Sequence, residues 1–352
     1  MKHQTTRYGE IPFYKIGTFG NTADAFISKK LFLEYKTKYS FPKKGDILIS
    51  ASGTIGRAVI YDGKPAYFQD SNIVWIDNDE ALVKNDFLFY AYSNVKWNTE
   101  HTTILRLYND NFRNTLIPLP PLNEQSAIAN ILSALDRYLC ALDALILKKE
   151  GVKKALSFEL LSQRKRLKGF NQAWQRVRFG DIANYLTSNL SAEQITQQGK
   201  IKVYDVNNFI GYTDTTFISD KPYISIVKDG SVGRVRILPP KTNILSTMGA
   251  LIANHRTTTE FLFYLLSNFD FKNFTSGSII PHIYFKDYKE KTIFLPSLNE
   301  QSAIANILSA LDNEITSLKN KKRQFENIKK ALNHDLMSAK IRVLKKSVLQ
   351  QK

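Results

Sequence analysis

Two short turns, one in each half of the sequence, carry the side chains best suited to binding a polyanion. The first turn and the segment before it contain Lys43, Lys44, Ser52, Thr54 and Arg57, and the second turn contains Lys228, Ser231, Arg234 and Arg236. Lysine and arginine neutralise phosphates, and hydroxyl groups hydrogen-bond to phosphates and base edges. Arg57 and Arg234 lie at matching positions, so we predict that both anchor phosphate rather than read bases.

A second pair of polar segments differs between the two halves, as expected for residues that read bases. Residues 102–109 include Arg106 and Asn109, and residues 276–284 include Ser278 and His282. Arginine suits guanine, asparagine suits adenine, and serine or histidine can serve several bases. The alternative for each of these residues is an ordinary solvated loop side chain.

The motifs of several enzyme classes are absent from the sequence. It has no G-x-x-x-x-G-K-[ST] phosphate loop, no Asn-Pro-Pro-Tyr or Asp-Pro-Pro-Tyr stretch and no Pro-Asp pair of the nuclease pattern. The five histidines lack metal-ligand spacing, and the single cysteine, Cys140, excludes a disulfide framework or a cysteine-cluster zinc site. The glycines of Gly53-Thr54-Ile55-Gly56 are more typical of a tight turn than of a phosphate cradle.

These binding segments lie within a tandem duplication. The fifteen residues Leu122–Asp136 recur unchanged at Leu298–Asp312, 176 positions downstream, in a chain of 352 residues. Upstream the match is looser, and residues 52–57 correspond to residues 229–234. Each half therefore consists of a variable block followed by a nearly identical block.

The nearly identical blocks are predicted to be long helices. Apolar residues recur every three or four positions after Pro120-Pro121 and again in the second copy, over about 40 residues, which corresponds to about 60 Å of helix. Such a stripe must be buried, and the other copy is the natural partner. The variable blocks alternate β-branched runs with turn signals, as α+β domains do. We expect α+β domains at 1–117 and 171–294, and helical segments at 118–170 and 295–352.

Charge and composition bear on the class of partner. The chain has 49 Lys and Arg against 32 Asp and Glu, a formal net charge of +17, which favours a polyanion. The sequence shows no signal peptide and no apolar run of about 18 residues, so we expect a soluble, cytoplasmic protein. An alternative that the helices leave open is a coiled-coil scaffold whose end domains bind protein or glycan. An unaided nuclease or methyltransferase would need motifs that are missing.

The pattern L-P-x-L-N-E-Q-x-x-I-A-x-x-L-S-x-L-D, present twice after G-D-I-L-I-S-x-S-G-T-I-G-R, resembles the specificity subunit of type I restriction–modification systems. The resemblance implies two target-recognition domains, each reading half of a split sequence in double-stranded DNA, separated by two antiparallel helices with pseudo-two-fold symmetry. It also implies docking of two methyltransferase subunits and, in the full complex, restriction subunits. S-adenosylmethionine, ATP and magnesium would then belong to those partners, and this chain would be non-catalytic.

Two further expectations follow from comparing the halves. The two copies share polar residues that a helical core does not require, and we interpret them as one partner-binding surface presented twice: Asn123, Glu124, Gln125, Asn299, Glu300 and Gln301. Only eight residues precede Gly9, which matches Gly199, so the first recognition domain is expected to lack a counterpart of residues 171–190.

Overall fold

The structure is a computed structural model that describes residues 4–68, 72–97 and 106–344. Residues 102–105 of the first predicted base-reading segment lie outside the described residues. The chain forms two compact units, Met1–Asp143 with Asn320–Lys352, and Ala144–Lys319. Each unit therefore combines one variable block with part of each long helix.

The first variable block is an α+β domain with two small sheets. One sheet has the strand order β2-β1-β5 and the other the order β4-β3-β6. Its elements are β1 (Ile11–Tyr14), β2 (Ala25–Ile27), α1 (Lys29–Lys38), β3 (Ile47–Ser50), β4 (Ala58–Ile60), β5 (Tyr67–Phe68), β6 (Ile73–Trp75), α2 (Asn85–Asn94) and α3 (Asn109–Arg113), and the long helix α4 (Leu122–Leu161) follows.

The second variable block repeats this plan with additional strands. Its elements are β7 (Gln175–Arg178), β8 (Ala183–Thr187), β9 (Ile201–Tyr204), β10 (Phe209–Thr213), β11 (Tyr223–Val227), β12 (Val235–Leu238), β13 (Thr242–Ile244), β14 (Met248–Ala253), α5 (Thr259–Ser267), β15 (Thr275–Ser276), β16 (His282–Ile283), α6 (Phe285–Tyr288) and β17 (Thr292–Leu295), followed by the long helix α7 (Leu298–Met337). The sheets have the orders β10-β9-β13, β12-β11-β14-β8, β17-β7 and β15-β16.

The predicted long helices are confirmed, and they pair antiparallel within each unit. In the first unit Lys329 contacts Asp136, and Lys322 contacts Asp143 at 2.6 Å. In the second unit the pairs are Lys153 with Asp312 at 2.5 Å and Lys149 with Glu314 at 2.7 Å. In both units, residues farther along α4 contact residues with lower numbers in α7, which shows that the two helices run antiparallel. Helix α4 continues through Gly151, where an added Cβ would meet nothing within 4 Å.

The two units differ around residues 171–190 of the second unit. In the second unit β7 pairs with β17, and β8 forms the outer strand beside β14. In the first unit the residues matching β17, 116–119, form no strand, and β6 pairs only with β3 among the described residues. Phe179 and Ile182 of this additional segment are fully buried, and they join one continuous core. The corresponding first-unit core divides into separate clusters.

Candidate nucleic-acid interface

The predicted binding turns have the same backbone geometry in both units. The amide of Gly56 donates to the carbonyl of Ser50 at 3.0 Å, and the amide of Gly233 donates to Val227 at 2.9 Å. Both glycines have positive φ, +78° and +79°, which L side chains rarely adopt. Each also lies against an aromatic ring, Gly56 against Trp97 and Gly233 against Phe271. The G-x-x-G segment is therefore the predicted tight turn.

The turns lie beside the predicted base-reading segments, although more than 50 residues separate them along the chain. Ser52 is a β-bridge partner of Arg106, and Asp229 is a β-bridge partner of His282. The amide of Leu107 donates to Ala51 at 2.8 Å, and the matching amide of Ile283 donates to Lys228 at 2.9 Å. Each unit thus joins its shared turn to its own variable polar segment.

In the second unit this junction carries a compact group of charged side chains. His282 Nδ1 lies 2.7 Å from Asp229 Oδ1, and Lys228 Nζ lies 3.6 Å from the other carboxylate oxygen of Asp229. All three side chains are between a quarter and a third exposed. The group presents a cation, a carboxylate and an imidazole to solvent, which together can donate to or accept from several base edges.

The arginines of the turns are oriented by contacts within their own unit. Arg57 Nη1 donates to the carbonyl of Phe19 at 2.9 Å. Arg234 Nη2 donates to the side-chain oxygen of Asn207 at 2.9 Å, and Arg236 Nη1 donates to the carbonyl of the same residue at 3.0 Å. The residues carrying all three guanidinium groups are exposed. Phosphate anchoring by Arg57 and Arg234 remains a prediction.

The remaining predicted residues are placed less closely together. Ser231 and Ser278 are exposed, Thr54 lies on the first turn, and Asn109 begins α3. Lys43 and Lys44 precede β3, and Lys43 lies 3.4 Å from Asp77 in an exposed ion pair.

Ser52 is buried and donates to Asn72 at 2.8 Å, so its hydroxyl is used inside the domain. DNA binding by the Ser52 side chain stays a prediction, and it requires the hydroxyl to exchange Asn72 for DNA.

Sequence reasoning missed three features of this surface. Asp229 contacts Lys228, and Asn207 accepts hydrogen bonds from Arg234 and Arg236. Nothing in the sequence distinguishes an acidic or amide residue with this role from any other loop residue. Tyr108 and Tyr284 are each 46% exposed beside a cation, with Arg106 over the first ring and Lys286 over the second. The sequence does contain a signal for the tyrosines, because Tyr108 and Tyr284 occupy the same position in the two halves of the repeat.

An open groove of about 770 Å³ borders the second turn. Its lining residues include Lys228, Tyr284, Lys286, Arg178 and Asp181. Arg178 donates to Asp181 and to Glu290, and hydrogen bonding from Arg178 lowers the pKa of the Asp181 carboxyl. Among the described residues, no group of histidine, cysteine or acidic side chains has the arrangement of a metal site.

Four members of the predicted partner-binding set, Glu124, Gln125, Glu300 and Gln301, are buried and hydrogen-bonded within the chain. Gln125 Oε1 accepts from the Lys84 amide at 2.8 Å, and its Nε2 donates to the carbonyls of Leu82 and Pro120. Gln301 is equally enclosed and accepts from the amide of Thr258 at 3.0 Å. These amides fasten the start of each long helix to its own recognition domain, and their binding of a partner stays a prediction.

Glu124 and Glu300 are also used within the chain. Arg342 donates two hydrogen bonds to Glu124, at 3.2 and 2.6 Å, and Arg166 donates two to Glu300, at 3.1 and 2.6 Å. These paired hydrogen bonds join α4 and the tail after α7 in one unit, and α7 and the tail after α4 in the other. Asn123 and Asn299 are exposed, and their binding of a partner remains a prediction.

Comparison with known proteins agrees with this repeated architecture. The family model of the type I restriction modification DNA specificity domain matches the chain twice, over residues 1–149 and 171–327. The chain belongs to this family. Type I specificity proteins similar to it include a putative specificity subunit of Haemophilus influenzae, 64% identical over 133 residues, which are 38% of this chain and 34% of that protein. The aligned part thus spans about a third of that relative.

A second relative and two solved structures are similar over most of the chain. A putative type I specificity subunit (MjaX) of Methanocaldococcus jannaschii is 28% identical over 335 residues, covering 85% of this chain and 79% of the relative. The S subunit structure from M. genitalium has a TM-score of 0.64 at 20% identity, covering 96% and 91% of the two chains. A chain from a structural study of type I complex assembly has a TM-score of 0.54 at 16% identity, covering 84% and 82%. The described part of this specificity protein contains no helix that is long and apolar enough to cross a membrane.

Proposed function

We propose that this chain reads a bipartite sequence in double-stranded DNA, with each unit contacting one half-site. The observation that carries the proposal is the repeated junction between a shared turn and a variable polar segment, Ser52 with Arg106 in one unit and Asp229 with His282 in the other. Shared residues suit phosphate contacts, which are independent of sequence, and differing residues suit base contacts. Membership of the specificity family supports the same conclusion.

The chain acts in this proposal as a non-catalytic subunit in the cytoplasm. Two methyltransferase subunits and, in the full complex, restriction subunits would supply the chemistry, with S-adenosylmethionine, ATP and magnesium bound by those partners. Support comes from the family and from the absence of enzyme motifs in the sequence. The exposed Asn123 and Asn299, at the start of each long helix, are our candidates for the repeated docking contact.

The test is selection of bound duplexes from a random library by the purified chain at about 50 mM salt. Two short preferred sequences separated by an unread spacer are expected. Affinity should fall steeply with salt, since each neutralised phosphate adds about −0.9 to the slope of log affinity against log salt. Absence of DNA binding, or binding without sequence preference, would favour the scaffold alternative.

A further inference from the structure

The backbone around His282 is held from both sides in the second unit, all of whose residues are described. The Gly230 amide donates to the carbonyl of Pro281 at 2.9 Å, and the Ile283 amide donates to the carbonyl of Lys228 at 2.9 Å. On its other side the strand that carries His282, β16, pairs with β15. The imidazole therefore projects from a backbone that is fixed between the second turn and a neighbouring strand.

The imidazole ring itself is oriented by its surroundings. Its Nδ1 atom lies 2.7 Å from Oδ1 of Asp229. A Cβ added at Gly277 would lie 3.0 Å from Cδ2 of His282 and 2.3 Å from the carbonyl oxygen of Ile280, so glycine is required beside this edge of the ring. Within this fully described unit no group hydrogen-bonds to the other ring nitrogen, Nε2, and the side chain is 34% exposed. Nε2 is therefore the atom through which His282 can contact DNA.

The contact with Asp229 determines whether Nε2 donates or accepts. An ionised carboxylate only accepts hydrogen bonds, so the contact requires a proton on Nδ1. In the neutral ring Nε2 then has no proton and accepts, whereas in the imidazolium ion both nitrogens carry protons and Nε2 donates. Asp229 thus disfavours the other neutral tautomer, in which Nε2 would donate.

The titratable and charged groups around the ring come from three elements. They are Asp229 and Lys228 in the second turn, Tyr284 and Lys286 at the start of α6, and Tyr185 on β8. Burial, and then the charge of Asp229, raise the pKa of the Tyr185 phenol, so this phenol stays neutral. Because Asp229 accepts from Nδ1 whether the ring is neutral or charged, both protonation states keep the same ring orientation.

We infer, on the basis of the DNA recognition proposed above, that Asp229 is a positioning residue that makes the base preference of His282 depend on protonation. The neutral ring accepts at Nε2 from the amino group of adenine or cytosine, and the charged ring donates from Nε2 to the keto oxygen of guanine or thymine. One position of the second half-site therefore changes its preferred base class between alkaline and acid pH.

The matching pair in the first unit does not have this property. Its members are Ser52 and Arg106, which occupy the positions of Asp229 and His282 in the β-bridge. Arginine keeps its charge throughout the range in which histidine titrates, and its side chain has only donors. The effect of pH on Nε2 of His282 therefore belongs to one half-site.

Duplex selection with the full-length chain at about pH 5.5 and about pH 8.5 tests the inference, since histidine side chains titrate between these values. At one position of one half-site, the ratio of amino bases to keto bases should fall about three- to tenfold from alkaline to acid pH, as expected for one hydrogen bond. A general gain in affinity at acid pH cancels in this ratio. His282→Gln should remove the change, and His255→Gln, which alters an exposed histidine of the same unit, should leave it in place.

Asp229→Asn separates positioning of the ring from support of the loop. Asparagine can donate or accept, so the neutral ring is no longer fixed with Nε2 as an acceptor, and the preference for amino bases at alkaline pH should disappear. The imidazolium ion still donates, so the preference for keto bases at acid pH should remain. Loss of preference at both pH values would indicate a structural role alone and overturn the inference.

Two further outcomes distinguish this inference from the proposed function. A wild-type chain that selects the same bases in both half-sites at both pH values would overturn the inference and leave the proposed DNA recognition intact. A chain that selects no second half-site at either pH would contradict the proposed recognition, and the inference would fail with it.

Discussion

Gln125 and Gln301 are identical in the two halves because each holds a domain to a helix. Their amides are buried and hydrogen-bonded on both sides, to backbone groups before α2 or α5 and to the proline preceding the long helix. The loops of a recognition domain can change in sequence, but the backbone groups that hydrogen-bond to the glutamine must keep their positions beside the start of the long helix. The need to hold each domain to its helix therefore accounts for the identity of these two glutamines in the two halves.

The first prediction at this scale is that Gln301→Ala destabilises the second unit by about 2–4 kcal/mol. The substitution leaves the buried carbonyl of Pro296 and the partly buried backbone groups of Arg256 and Thr258 without their partners, at about 1–3 kcal/mol each with partial compensation by water. Chemical denaturation would measure the change. Asn299→Ala, two residues away and exposed, serves as the control and should change stability by less than about 0.5 kcal/mol. Equal effects would show that the buried amide does not fasten the domain.

The second prediction concerns pH. Hydrogen bonds from Arg342 lower the pKa of the buried Glu124 carboxyl, so ionised Glu124 stabilises the folded state. Because the folded pKa lies below the unfolded one, this stabilisation is present above about pH 4.3 and disappears as the pH falls further. Glu124→Gln should cost about 1 kcal/mol at neutral pH, a modest value because Arg342 is half exposed.

Denaturation of both proteins between about pH 3 and 7 would test this dependence. The difference between them should shrink toward acid pH. Glu150→Gln removes an exposed ion pair with Lys319 and should have little effect at any pH. A stability difference for Glu124→Gln that does not vary with pH would contradict the assigned role of the ion pair.

At the level of elements, the turn glycines fix where the polar side chains project. Gly233 has positive φ, and an added Cβ would lie 2.6 Å from the Phe271 ring, whereas Gly230 has positive φ with nothing within 4 Å. Gly233→Ala should therefore cost more stability than Gly230→Ala, by about 1–2 kcal/mol, since only the former adds a clash to the strain. Thermal unfolding would measure both. Equal losses would mean that contact with Phe271 does not constrain the turn.

The elements with strong periodicity were predictable, and those that depend on tertiary contacts were not. The long helices and β11 lie where the spacing of apolar residues predicts them. The helices bury one face, which gives a spacing of three or four, and β11 buries both faces, which gives a continuous apolar run. Helix α1 was not predicted, since its apolar residues are few and Phe32 is its one fully buried side chain. The pairing of Ser52 with Arg106 links residues distant in sequence, so local patterns contain no information about it.

For the molecule as a whole, we predict that the two helices set the distance between half-sites. Adding seven residues after Leu147 in α4 and seven after Ser317 in α7 lengthens both helices by about 10 Å each. The DNA target should keep both half-sites while its spacer grows by about three base pairs. Duplex selection with the lengthened chain would measure the spacer. An unchanged spacer would exclude the helices as the determinant.

The central claim, that each unit reads its own half-site, is tested most directly by altering the variable segment of one unit. Duplex selection is carried out with the purified wild-type chain and with the double variant Ser278→Ala and His282→Ala, whose residues lie in the variable segment joined to the second turn. The account predicts that one half-site loses its sequence preference while the other half-site and the spacer stay the same. Changes in both half-sites, or in neither, would contradict it.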